Sequence, residues 1–169
     1  METIYFQGNP VHTYGNLPPI GEKAPCFTLV DTNLKEIRCT EFQGRKLILN
    51  VFPSLDTDVC ATSVRKFNKE AAAIPDVTII NVSMDLPFAA KRFCAAEGID
   101  NAIVASAFRC PMFSQKYGLQ IIDGPLAGLL ARAVIVVDGD RHIVYEQLVS
   151  EVSTEPDYRA AIEAARNIK

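Results

Sequence analysis

Residues 46–67 read KLILNVFPSLDTDVCATSVRKF. The first half, KLILNVF, is a continuous apolar run of the kind found in strands buried on both faces, and from about Val59 to Ala73 the pattern is helical. A buried strand feeding a helix is the start of a βαβ unit. Downstream, DVTIINVS reads as the next buried strand, and PFAAKRFCAAEG as a short helix opening on Pro87 and closing on Gly98. NAIVAS then gives a shorter strand and CPMFSQKYG a short helix with Pro111 near its start. The segment LQIIDGPLAG that follows has no regular pattern.

Upstream of this unit the chain is antiparallel β. ETIYF and PVHTY read as a hairpin around Gly8, Asn9 and Pro10, GNLPPIGEKAP as a connector, and CFTLV and EIRCT as two strands around a DTNLK turn. The YFQG string resembles the scar of a cleaved purification tag, but ETIYF alternates as a strand should, and it is read as native. At the other end, ARAVIVVDGDRHIVYEQLV is a hairpin turning on Asp138-Gly139-Asp140, and EPDYRAAIEAARNIK is a terminal helix. This order predicts an α/β, thioredoxin-like fold: a central mixed sheet with flanking helices and an N-terminal β-hairpin extension, in one domain spanning residues 1–169.

A chain of 169 residues with 49% hydrophobic content suits one packed domain. Its net charge of −3, with no cluster of Lys and Arg, argues against nucleic acid as a partner. No apolar run is long enough to span a membrane and no export signal opens the chain, so a soluble, cytoplasmic protein is expected. His12 and His142 lie far apart, which leaves little for a metal site. The five cysteines form an odd set without a CxxC pair. Structural disulfides are therefore not expected, and Cys26, Cys39 and Cys110 are read as free thiols packed as small hydrophobes.

Cys60 stands apart from these three. It falls in the first turn of the helix after KLILNVF, where unpaired N–H groups and the positive end of the helix dipole favour thiolate. Thr57, three residues earlier, shares its helix face, and as an N-cap its hydroxyl would stand beside the sulfur. Asp58 opposes this: a carboxylate about 6 Å from the sulfur costs the thiolate roughly 0.7 to 3 kcal/mol. An acid at a helix start is itself stabilised by the dipole and can turn to solvent, which is the favoured reading of Asp58. Weakened thiolate formation and an ion pair with a neighbouring Lys or Arg stay open as alternatives.

Pro53, Thr57 and Cys60 reproduce the P-x-x-x-T-x-x-C signature of the peroxiredoxins, and PSLDT-x-VCATSVRKFN resembles the thiol peroxidase branch of that family. The likeness continues through FQGNPV, PFAAKRFCAAEGI, DGPLAGLLARAV and TEPDY. It implies that Cys60 is the peroxidatic nucleophile, that Thr57 orients the peroxide oxygens, and that Arg132 lies against the thiolate, where a permanent cation lowers the thiol pKa. It also implies that Cys94, 94 − 60 = 34 positions on, is the resolving cysteine; from the residues alone Cys94 reads as a core thiol beside Phe93.

From the same resemblance follow hydrogen peroxide and alkyl or lipid hydroperoxides as substrates, an intramolecular Cys60–Cys94 disulfide, recycling by thioredoxin, no metal or other cofactor, and a homodimer with Phe108 and Arg109 near the contact. The implied preference for alkyl and lipid-type hydroperoxides is consistent with apolar Leu55, Val59, Leu129 and Leu130 around the motifs. The two cysteines are expected apart in the reduced protein, with helical turns lost when they join. Two competing readings are a disulfide oxidoreductase, which lacks its CxxC here, and a non-catalytic thioredoxin-like module, which would have a broken Pro/Thr/Cys/Arg set.

Overall fold

The computed structural model describes residues 1–71, 73–99 and 102–169, and of Asp58, Cys60, Ser63 and Ala71 it describes the backbone alone. Its elements follow the expected order. Strands β1 (Thr3–Phe6) and β2 (Asn9–His12) form the N-terminal hairpin, followed by β3 (Thr28–Val30), β4 (Glu36–Arg38) and a 3-10 turn at Cys39–Phe42. Then come β5 (Lys46–Val51), α1 (Asp58–Ala71), β6 (Val77–Ser83), α2 (Pro87–Glu97), β7 (Ile103–Ser106) and α3 (Pro111–Lys116). The chain finishes with β8 (Ala133–Val137), β9 (Ile143–Leu148) and α4 (Tyr158–Arg166).

Seven strands form one mixed sheet in the order β4-β3-β7-β6-β5-β8-β9. β5, β6 and β7 are parallel, as βαβ crossovers require, and the β8–β9 hairpin adds antiparallel to β5. Because side chains alternate across a strand, β5 serves two cores at once. Leu47, Leu49 and Val51 pack on one face with Phe27, Cys39, Phe113, Tyr117 and the hairpin residues Ile4 and Val11. Ile48 points the other way, into a core with Phe67 of α1 and Tyr158, Ala161, Ile162 and Ala165 of α4. On that second face, Phe52 and Leu55 pack with Val64 of α1, Ala90 of α2 and Val104 of β7. Each such large apolar side chain, fully buried, contributes roughly 1.5–3 kcal/mol.

Asn50 and Asn81 interrupt the apolar strands without leaving their amides unpaired. Asn50 Nδ2 donates to Asn81 Oδ1 at 2.9 Å, and Asn81 Nδ2 donates to the Ile103 carbonyl at 3.2 Å, a polar rung across β5, β6 and β7.

One expectation about the cysteines is corrected. Cys26 and Cys39 are not free thiols; they form a disulfide, with Cα atoms 5.3 Å apart. The register explains it. β3 pairs β4 at Thr28↔Arg38, and the Cys39 N–H donates to the Phe27 carbonyl at 3.0 Å, so the continuing hairpin carries Cys26 diagonally onto Cys39. Cys110 is outside that bond, partly buried at the start of α3. Burial raises its thiol pKa, Arg109 opposes this, and Glu36 adds to it.

Candidate active site

The loop from β5 to α1 carries the expected motif, and a carboxylate thirty residues away shapes it. Asp85, just past β6, accepts from Ser54 Oγ at 2.8 Å and from the Leu55 N–H at 2.7 Å. It also accepts from Ser83 Oγ at 2.7 Å, which ties the loop to the adjacent parallel strand. Ser54 Oγ in turn accepts the Asp56 N–H at 3.1 Å. Held this way, the chain turns at buried Pro53 and enters α1 directly after Thr57, whose hydroxyl donates to the Ser54 carbonyl at 3.2 Å. Cys60 is the third residue of α1, in its first turn, the position where the dipole favours a thiolate. The side chains of Cys60 and Asp58 lie outside the described residues.

Beside this helix start is a cleft of about 210 Å³ lined by Phe6, Pro53, Ser54, Thr57, Val59, Leu126, Leu129, Arg132, Val152 and Ser153. Three expected site residues, Pro53, Thr57 and Arg132, therefore share one wall system. Arg132 is 2% exposed, and its Nε donates to the Val152 carbonyl at 2.8 Å. That bond fixes the plane of a buried guanidinium facing the cleft. Of the four apolar residues around the motifs, Val59 and Leu129 line the cleft, whereas Leu55 is packed between α1 and α2 and Leu130 lies in the core on the opposite face of the sheet.

The outer wall comes from the N-terminal hairpin, which the sequence reading left without a role. Tyr5 N–H donates to the Ser150 carbonyl at 2.7 Å and Val152 N–H to the Tyr5 carbonyl at 2.8 Å, so β1 runs alongside residues 150–152 and places Phe6 over the cleft. On its far side, His12 N–H donates to Asp123 Oδ1 at 2.8 Å and His12 Nδ1 lies 2.6 Å from Asp123 Oδ2. These bonds hold the Asp123 carboxyl below the usual carboxylate range. Gly124 follows with φ +73°, and a Cβ there would come within 2.7 Å of Val11 Cγ1. Only glycine lets this loop close on the hairpin and present Leu126 and Leu129.

Cys94 sits on α2, outside the cleft, packed against the core of Phe52, Val64 and Ala90. Its carbonyl accepts the Gly98 N–H and, at 3.0 Å, the Ile99 N–H, closing the end of α2 on a left-handed glycine. An Arg65–Glu97 ion pair joins α1 to α2 at the same end. Among the described residues, no three His, Cys, Asp or Glu side chains converge to hold a metal ion, and no helix is long and apolar enough to cross a membrane.

The family model described as Redoxin matches residues 19–162. The chain belongs to the Redoxin family. Within it, the likeness to the thiol peroxidase branch carried by residues 53–67 extends along nearly the whole sequence. A thiol peroxidase of Corynebacterium glutamicum is 54% identical over 164 residues, 97% of this chain and 99% of that protein. One from Mycobacterium tuberculosis is 51% identical over 164 residues, 97% of this chain and 98% of that protein. Among solved structures, a peroxiredoxin-like protein from Aquifex aeolicus superposes with a TM-score of 0.93 at 39% identity, covering 98% of this chain and 96% of that one.

In this Redoxin chain the Cys26–Cys39 disulfide is set apart from the motif. Cys39 belongs to the core on the Leu47/Leu49/Val51 face, and Cys94 packs on the Phe52/Val64 face, so the sheet stands between them.

Proposed function

We propose that this chain is a thiol-dependent peroxidase that reduces hydrogen peroxide and organic hydroperoxides, with Cys60 as nucleophile and Cys94 as resolving thiol. The observation that carries the reading is the cleft in which Pro53, Thr57 and Arg132 meet at the N-terminus of the helix bearing Cys60. Near-full-length relatives named thiol peroxidase support it. The Cys60 thiolate attacks the terminal oxygen of the hydroperoxide; the O–O bond breaks, sulfur is oxidised to sulfenic acid, and the leaving alkoxide or hydroxide takes a proton from solvent to become alcohol or water. The Arg132 guanidinium stabilises both the thiolate and the charge developing on the peroxide, and the Thr57 hydroxyl orients the oxygens. The Cys94 thiol then displaces water from the sulfenic acid to give the Cys60–Cys94 disulfide, which a thioredoxin dithiol reduces. In this reading the disulfide forms with loss of helical turns around Cys60 and Cys94, and the bonds to the Cys94 carbonyl and the Arg65–Glu97 pair are the contacts at that end of α2.

Phe6, Val59, Leu126, Leu129 and Val152 make the cleft mostly apolar, which suits alkyl and lipid-type hydroperoxides. The reading extends to one domain over residues 1–169, a cytoplasmic location and a homodimer. Exposed Leu86, Phe88, Phe108 and Met112 follow the ends of the adjacent strands β6 and β7 and offer the dimer its apolar surface. Arg109 stacks over Phe108 at 5.6 Å and faces Glu36 at 3.8 Å beside it.

The test is consumption of cumene hydroperoxide with thioredoxin and its reductase. Wild type turns over, and Cys60→Ser falls by at least roughly a thousandfold, because no other group supplies the nucleophile. A wild type with no peroxide-dependent turnover contradicts the enzyme reading and favours a non-catalytic module.

A further inference from the structure

Glu151 lies between the N-terminal hairpin and the segment that holds Arg132. Its Oε1 accepts the Gln7 N–H at 3.1 Å and the Ser153 N–H at 3.2 Å, and its Oε2 accepts the Gly8 N–H at 3.2 Å. One carboxylate thus takes donors from the β1–β2 turn and from the cleft wall. Its immediate neighbour Val152 donates its N–H to Tyr5 and offers its carbonyl to Arg132 Nε. Phe6, one residue before Gln7, lines the cleft.

From this chain of bonds we infer that Glu151 is a positioning residue for the peroxidase reaction, fastening the hairpin turn so that Phe6 walls the cleft and the Val152 carbonyl holds the Arg132 guanidinium in place. The inference rests on the assignment of Cys60 and Arg132 made above. Three backbone N–H groups converging on one carboxylate form a nest that favours the charged form. The N–H groups of Ser153, Gly8 and Gln7 accordingly keep the Glu151 carboxyl below the usual carboxylate range. The clamp therefore stays charged at neutral pH. Without it, β1 keeps its pairing to residues 150–152 but loses the anchor at the turn, so Phe6 and the Val152 carbonyl are held less closely in place.

The test compares Glu151→Ala and Glu151→Gln with wild type in the full-length protein, reading kcat/KM for cumene hydroperoxide and for hydrogen peroxide, the Cys60 thiolate pKa by absorbance, and the melting temperature. Glu151→Ala is expected to lose about tenfold in kcat/KM for cumene hydroperoxide and about threefold for hydrogen peroxide, because only the bulky substrate needs the Phe6 wall. The Cys60 pKa rises by about half a unit as Arg132 loosens. Glu151→Gln, which keeps one acceptor oxygen in the nest, stays within about threefold of wild type. A lowered melting temperature with both rates and the Cys60 pKa intact makes Glu151 a structural anchor only and overturns the inference. A wild type that consumes no hydroperoxide overturns the peroxidase reading and this inference with it, whereas an active wild type beside an equally active Glu151→Ala overturns this inference alone.

Discussion

Arg132→Met lowers kcat/KM for hydroperoxides by about two to three orders of magnitude, the loss typical when a preorganised donor to developing negative charge is removed. Methionine matches the aliphatic bulk of the arginine stem and can occupy the same buried channel, so the fold is kept. What goes is the cation, and with it the bond to the Val152 carbonyl. Two effects combine: the Cys60 pKa rises, which reduces the thiolate fraction at neutral pH, and the peroxide loses a donor in the transition state. Arg132→Lys does not restore the rate, because a single ammonium cannot bond Val152 and also present a planar fork to the cleft. Steady-state kinetics beside a titration of thiolate absorbance separate the two contributions. A kcat/KM within threefold of wild type for Arg132→Met contradicts the role given to this residue.

Breaking the Cys26–Cys39 bond is expected to act on stability instead. The two cysteines are 13 positions apart, and a closed loop of about that length restricts the unfolded chain by roughly 3 kcal/mol. In a chain of this size that corresponds to a fall of roughly 6 to 12 °C in melting temperature. Cys39→Ala, Cys26→Ala and the double variant fall together, and strong reductant brings wild type to the same value. Peroxidase turnover below the new transition stays within about twofold of wild type, since the disulfide packs on the sheet face away from Cys94. Lost turnover with an unchanged melting temperature gives this pair a catalytic role and contradicts the account.

The reason this pair was missed in the sequence is specific. CFTLV and EIRCT were legible as strands around a turn, but counting cysteines and seeking CxxC takes no account of hairpin register, and register alone brings Cys26 to Cys39. The same limit applies at the site. Motifs single out Pro53, Thr57 and Arg132, which share the cleft, yet Asp85 holds the loop through the Ser54 hydroxyl and the Leu55 N–H, and Glu151 holds the β1–β2 turn through the Gln7 and Gly8 N–H groups; backbone N–H donors leave no residue-type signal in a sequence. Flanking a motif does not decide which side of the backbone a side chain takes: Val59 and Leu129 turn to the cleft, Leu55 and Leu130 into cores. The fold itself was legible because KLILNVF and DVTIINVS are short apolar runs typical of strands buried on both faces, and because Pro87, Pro111 and Gly98 mark helix ends.

The measurement that tests the central claim most directly is disulfide mapping by mass spectrometry across a single turnover. Protein reduced with thioredoxin receives one equivalent of cumene hydroperoxide, and free thiols are alkylated at once. The account expects a peptide joining Cys60 to Cys94 to appear in proportion to the peroxide added and to vanish when thioredoxin is restored, with the Cys26–Cys39 link unchanged throughout. A Cys26–Cys39 bond that forms and breaks with each turnover, while Cys60 and Cys94 stay open to alkylation, contradicts it.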